Sequence, residues 1–405
     1  MLMETQREHL LAIYAAGLDA VRGDQAVYRA LSAQGATSAT HVVAIGKAAE
    51  AMFLGAERHL GETVHSTLLI TKTGHFSTAL RPESGYSLIE AAHPVPDDSS
   101  LAAGQRLITY LQQLPAGEPV LFLISGGASS LCEVLADGWT LEELRQLTRF
   151  MLGAGYAIGS MNAVRQRVSR IKGGKLWQFV GDRPVQALLI SDVEGDHPAS
   201  IGSGLLFPPE QDHLPADLPT VWQQRLPPFE RLEPPAAFQW QIVASNALAL
   251  EAMQQQARQL GYPVRMDPRF LNGEAGAEAR QCVAALQQGE TGMTLWGGET
   301  TVRLPPQPGR GGRNQHFALS AAVAMQGQDD LLLLAAGTDG SDGLSADAGA
   351  LVDSGTCARG EAEAGRAEDS LQQADSGHFL EASADLIHTG PTGTNVMDVV
   401  IGLKC

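Results

Sequence analysis

The chain has 405 residues, 44% of them hydrophobic, a mean hydropathy of −0.06 and a formal net charge of −17. That length exceeds a usual single domain and supports two cores, and the ordinary hydropathy excludes global disorder. The acidic balance, with no basic stripe, excludes nonspecific binding to nucleic acid or to anionic membranes.

The first segment, MLMETQREHLLAIYAAGLDAVRG, mixes charges into an apolar periodicity and predicts an amphipathic helix rather than a leader peptide. No run approaches a membrane span in length. Cys132, Cys282, Cys357 and Cys405 are scattered without metal-ligand spacing, as expected for thiols in a reducing cytoplasm. A soluble cytoplasmic protein is expected, and its sequence is compatible with a homo-oligomer.

A rhythm of short apolar run, glycine-bearing loop and helical stretch then begins. Strands are predicted at His41–Ile45, Thr67–Thr71, Tyr86–Glu90, Val120–Ile124 and Gln186–Ile190, with helices at Ala48–His59, Ser99–Leu114 and Leu141–Leu152. Such alternation implies βαβ units and a parallel sheet. Residues 207–235 carry eight prolines and lose all periodicity, which reads as a linker or a surface wrap. Domains of 1–235 and 236–405 follow from this break. The rhythm resumes in QIVAS, TLWGG, LLLLAAG, GALVD and DVVIGL, with helices at Ala247–Leu260, Ala275–Leu286 and Asn314–Ala324. The stretch Ala358–Gly377 reads as a helix pair or a loop.

Several strand ends carry chemistry. HVVAIGKAAEAM places Lys47 after a buried strand and Gly46, where an ammonium can neutralise a phosphate or carboxylate. A helix start is a poor place for a merely solvated cation. VLFLISGGASSL runs a strand into Ser125, Gly126, Gly127, Ser129 and Ser130, a turn suited to cradling an anion. MNAVRQRVSRIKGGK gathers basic residues, among which Arg165 is suited to gripping a carboxylate; a charge-balancing helix face is the bland alternative. LISDVEGD brings Asp192 to a strand end, and LWGGETTV does the same for Glu299. PPQPGRGGRNQHFAL sets Arg313 beside glycines at a helix start, where positioned positive charge would meet a phosphoryl group. In LLLLAAGTDGSDG an all-apolar run reads as a strand buried on both faces of a parallel sheet, and ends at Asp339 and Asp342. A hard cation or polyol suits that carboxylate pair; an ordinary Asp/Gly turn reads the same way. His75 and His93 stand alone in loops, where a histidine usually has no special role. Walker A, the dinucleotide fingerprint and HExxH are absent.

The ordered series GKAAEAM, HPVPD, LISGGASSL, NAVRQRVSRIKGGKL, SDVEGD, ASNALAL, GGETTV, GGRNQ, GTDGSDG and TGPTGTNVMDV resembles the class II glycerate kinases of the MOFRL type. Older usage labels these hydroxypyruvate reductases. The resemblance spans nearly the whole chain. It implies two α/β domains, the first Rossmann-like with a parallel sheet and the second with a mixed sheet, with the active site in the cleft between them. It implies ATP-dependent, Mg²⁺-assisted phosphorylation of D-glycerate, most often to 2-phosphoglycerate, so the partners are a small-molecule substrate and a nucleotide. The family's essential lysine and arginine match Lys47 and Arg313. Ser125–Ser130 would then cradle phosphate, and Asn162 and Arg165 would hold the substrate carboxylate. Thr392 and Asn395 would serve as donors from a closing TGPTGTN loop. Asp192 joins the catalytic set, and Asp192, Glu299, Asp339 and Asp342 are candidates for Mg²⁺ coordination, the last three foremost, or for accepting the substrate hydroxyl proton. An NAD(P)H-dependent hydroxypyruvate reductase and a non-catalytic sugar-acid or phosphate binder are the competing readings.

Overall fold

The computed structural model describes residues 2–34, 41–77, 80, 86–156, 158–211 and 214–405. Two compact units emerge, one of residues 23–243 and one combining residues 1–22 with 244–405. The first helix, α1 (Leu2–Val21), is therefore counted with the C-terminal unit. The proline-based boundary at 235 falls just ahead of the edge strand that ends the first unit.

In the first unit, strands β1 (His41–Ile45), β2 (Ser66–Lys72), β3 (Tyr86–Ala91), β4 (Val120–Ile124), β5 (Val185–Ile190) and β6 (Gln239–Ala244) form one sheet in the order β3-β2-β1-β4-β5-β6. The β1–β2, β2–β3, β1–β4 and β4–β5 pairings are all parallel. Every residue of β1 and β4 is buried, which explains their unbroken apolar runs. Helices α3 (Ala49–Leu60) and α4 (Asp98–Gln113) intervene as the rhythm predicts, and α2 (Gly23–Gln34), which the rhythm does not include, precedes β1. The main core joins Val43, Ile45, Leu68, Phe122 and Leu189 of the sheet to Leu107 and Leu111 of α4. Strand order reverses between β1 and β4, and such a switch point opens a crevice at the strands' carboxyl ends.

The helices α5 (Ala128–Leu131), α6 (Leu141–Gly153), α7 (Ile158–Val168) and α8 (Trp177–Val180) follow β4. The proline-rich stretch lies as a wrap over α6 and α7. Its Leu218 and Leu226 are buried with Trp139, Leu144, Leu147 and Val164, and it holds one short helix, α9 (Thr220–Gln223). Trp139 Nε1 donates to Arg225 O at 3.2 Å. Residues 212 and 213 of this stretch lie outside the described set.

The second unit contains α10 (Asn246–Gln259), β7 (Val264–Met266), α11 (Ala275–Gln288), β8 (Gly292–Gly298), α12 (Arg313–Ala324), β9 (Leu331–Gly337), β10 (Gly349–Asp353), β11 (Leu386–Ile387) and β12 (Asp398–Lys404). Its sheet runs β11-β10-β9-β12-β8-β7. Only β7–β8 is parallel among the pairings described. Strand β9 is buried throughout, as its leucines demand, but both its neighbours run antiparallel to it. This corrects the parallel reading: an unbroken apolar run reports burial of both faces and carries no information on strand direction. Leu331, Leu333 and Ala335 join the core beneath α11 and α12, and the alternate residues face the other side. The stretch after β10 forms three helices, α13 (Thr356–Ala364), α14 (Ala367–Gln372) and α15 (Ser376–Ala382).

Candidate active site

In the first unit, four strand-end loops converge where the strand order reverses. Beyond β1, Lys47 N donates to Gly126 O at 2.9 Å and Ala48 N to Ser125 Oγ at 3.1 Å, tying the lysine loop to the glycine turn after β4. Glycine is required in that turn. Gly127 sits at φ +86°, and a Cβ on Gly126 would fall 1.9 Å from Asp192 Oδ2, so the carboxylate from the β5 loop lies directly over it. A Cβ on Gly127 would meet Lys47 Cγ at 3.2 Å and the His93 ring at 3.1 Å. Lys47, Asp192 and His93 thus surround one turn. The main-chain N–H groups of Gly126 and Gly127 find no acceptor among the described residues, leaving them available to an anion.

The serine hydroxyls play a different part from the expected cradle. Ser125 is fully buried with its Oγ accepting from Ala48 N, and Ser130 Oγ donates back to Gly127 O at 3.1 Å. Ser129 Oγ lies 2.7 Å from Ser203 Oγ, which in turn donates to Asn162 Oδ1 at 3.5 Å. The hydroxyls brace the turn, and the chain through Ser203 fastens it to α7. Arg165, also on α7, is half-buried and makes no hydrogen bond or ion pair among the described residues. Burial lowers its pKa, and the carboxylate of Glu133 opposes that. Glu133 is itself buried in an ion pair with Lys172, two residues that no sequence motif connects.

In the second unit, Arg313 opens α12 and is held from two sides. Its Nε and Nη2 donate to Asp398 at 2.5 and 3.0 Å, and Nη1 lies 3.0 Å from Glu299 Oε1. Burial works against the charge, but these carboxylates outweigh it and push the guanidinium pKa up. The contacts use three of five N–H groups. With the side chain 36% exposed, the remainder can meet a ligand. Asp398 was not singled out from the sequence; its only signal was its place in the TNVMDV motif. It is buried at the start of β12, where Asn246 Nδ2 donates to its carbonyl at 2.9 Å.

Of the three proposed metal ligands, Asp342 does not fit. Its Oδ1 accepts from Asn314 N at 3.1 Å and Oδ2 from Gln315 N at 2.7 Å, so it caps α12. Burial raises its pKa to about 7, with Asp398 adding to the rise and the two N–H groups opposing it. Both of its oxygens are thus engaged by main-chain donors at the start of α12. Glu299 is engaged with Arg313. Asp339 is half-buried, with Oδ1 accepting from Ser341 N and Oγ, each at 3.1 Å. Among the described residues no three His, Cys, Asp or Glu side chains group as a metal site. Thr392 Oγ1 donates to Thr338 O at 2.6 Å and Asn395 Oδ1 accepts from Met397 N at 3.3 Å, so both fasten their loop to the end of β9.

Comparison with known proteins matches residues 9–219 to a domain of unknown function, DUF4147, and residues 292–398 to the MOFRL family. The chain is 32% identical to a D-glycerate 2-kinase of Thermotoga maritima, over 99% of each chain. It is 33% identical to a putative hydroxypyruvate reductase of Agrobacterium vitis, over 88% of this chain and 97% of that one. The crystal structure of a Thermotoga maritima glycerate kinase superposes with a TM-score of 0.86 at 31% identity, covering 99% of this chain and all of the other. Sequence, fold and the ordered motifs agree: the chain belongs to the MOFRL family of glycerate kinases.

Proposed function

We propose that this protein transfers the γ-phosphoryl group of ATP to D-glycerate, giving 2-phosphoglycerate. The observation that carries the reading is the glycine turn at the switch point, where Lys47 and Asp192 flank Gly126–Gly127 and two N–H groups find no acceptor among the described residues. Lys47 neutralises charge on a phosphate, and the turn's N–H groups bind its oxygens. Arg165, without a carboxylate of its own, grips the glycerate carboxylate. In the second unit, Arg313 is fixed by Asp398 and keeps N–H groups for an anionic ligand. Phosphoryl transfer is governed by such positioning and by charge neutralisation.

Mg²⁺ commonly binds through one or two carboxylates together with substrate phosphates and water. Asp339, just beyond the end of β9, is the carboxylate that would hold the ion. When bound, the ion would offset charge on the β- and γ-phosphate oxygens. No helix among the described residues is long and apolar enough to cross a membrane.

The hydroxypyruvate reductase reading takes its support from a relative's name. It lacks a dinucleotide fingerprint after β1, where the turn reads Gly46-Lys47. Two assays on one purified sample separate the readings. D-glycerate-dependent ADP release from MgATP is expected, without oxidation of NADH or NADPH by hydroxypyruvate. Cofactor oxidation without ADP release would reverse the assignment.

A further inference from the structure

The reaction proposed above leaves one proton without a destination. The glycerate hydroxyl must lose its hydrogen as its oxygen joins phosphorus, and Lys47 is already engaged with the phosphate charge. We propose that His93 is that acceptor, a further catalytic residue beside Lys47. The inference rests on the glycerate kinase reading and deepens it.

His93 lies in the loop from β3 to α4, on the same edge of the parallel sheet as the lysine and glycine turns. Its Cδ2 and Nε2 lie 3.1 and 3.3 Å from the point where a Cβ on Gly127 would sit, and Lys47 Cγ lies 3.2 Å from that same point. The Nε2 edge of the imidazole therefore borders the turn from which Lys47 would reach a phosphate. The ring is half-buried, so the edge is sheltered but not sealed.

The loop is also rigid. Ala92 N donates to Ser99 Oγ at 3.0 Å, and Asp97 caps α4 through Ser99 N at 2.8 Å. From α6, Arg145 donates from Nε and Nη2 to Pro96 O at 3.1 and 3.0 Å. These contacts fix the backbone on both sides of His93, the kind of fixed placement that suits a base.

Asp192, over Gly126, is the competing acceptor. Histidine is the side chain most often used as a general base, and the test below sets it against Asp192. In the step, the substrate O–H bond breaks and its proton passes to His93 Nε2. The oxygen's electron pair forms the new bond to the γ-phosphorus, while the bridging P–O bond breaks and its pair stays on the ADP oxygen. The imidazolium afterwards gives its proton to water.

The test uses the full-length protein with MgATP and D-glycerate, comparing wild type, His93→Ala, His93→Gln and Asp192→Asn. Both His93 variants are expected to lose kcat by roughly 100-fold or more, with KM for each substrate within a few-fold. Added imidazole should restore turnover to His93→Ala but not to Asp192→Asn. His93→Gln keeps a hydrogen-bonding atom near the Nε2 position and carries the test if the alanine variant misfolds. Turnover of His93→Gln within threefold of wild type would overturn the assignment, as would imidazole rescue of Asp192→Asn alone. Wild-type protein that transfers nothing to D-glycerate would instead remove the glycerate kinase reading itself.

Discussion

The two units position their cations by opposite means. Around Lys47, order comes from the main chain: Lys47 N to Gly126 O, Ala48 N to Ser125 Oγ, and two glycines over which other side chains close. Around Arg313, order comes from charge, with Asp398 and Glu299 holding the guanidinium. The side-chain types explain the difference. A planar fork pairs bidentately with a carboxylate and keeps donors to spare, whereas an ammonium is a point charge whose placement depends on its backbone. One region should therefore be sensitive to the volume of its glycines, and the other to the charges of its neighbours.

Removing either cation is the largest disturbance. Lys47→Ala and Arg313→Ala are each expected to lower kcat/KM by about 1,000-fold while melting near wild type, measured by steady-state kinetics and calorimetry. Arg313→Lys should recover little, because it cannot form the two-pronged contact with Asp398. The charge-based arrangement is tested next by Asp398→Asn, expected to cost about 100-fold in kcat with Arg313 present. In the Arg313→Ala background the same change should cost almost nothing further. Additive losses would mean that Asp398 acts on something other than the arginine.

The backbone-based arrangement is tested by Gly126→Ala. Its methyl would collide with the Asp192 carboxylate, so stability should drop by about 1–3 kcal/mol in denaturant titrations, with activity falling alongside. The smallest effect concerns Asp342. Its folded pKa of about 7 exceeds the ordinary aspartate value, so the stability it contributes is fully present below about pH 4. That contribution is lost as pH rises through 7. Asp342→Asn, which cannot ionise, should flatten that part of the stability–pH curve.

Much of the fold was legible because burial writes itself into runs of residues. The β1, β4 and β9 boundaries are those read from HVVAI, VLFLI and LLLLAAG. Direction was not legible for β9, since an apolar run looks the same in either pairing. At the site, loops could be chosen by their glycines, but side-chain roles depended on partners far along the chain. Ser125 reads as a phosphate donor until the fold shows its side chain fully buried, with Oγ accepting from Ala48 N. Asp342 reads as a metal ligand until the start of α12 is seen beneath it. His93 and Asp398 stand alone in sequence, and only the fold sets them beside Gly127 and Arg313.

The most direct test of the central claim is a ³¹P NMR time course of the purified protein with MgATP and D-glycerate. The account predicts a 2-phosphoglycerate resonance that grows in step with ADP and is absent when Lys47→Ala replaces the wild type. ATP left intact, or ADP formed with inorganic phosphate and no phosphoglycerate, would contradict it.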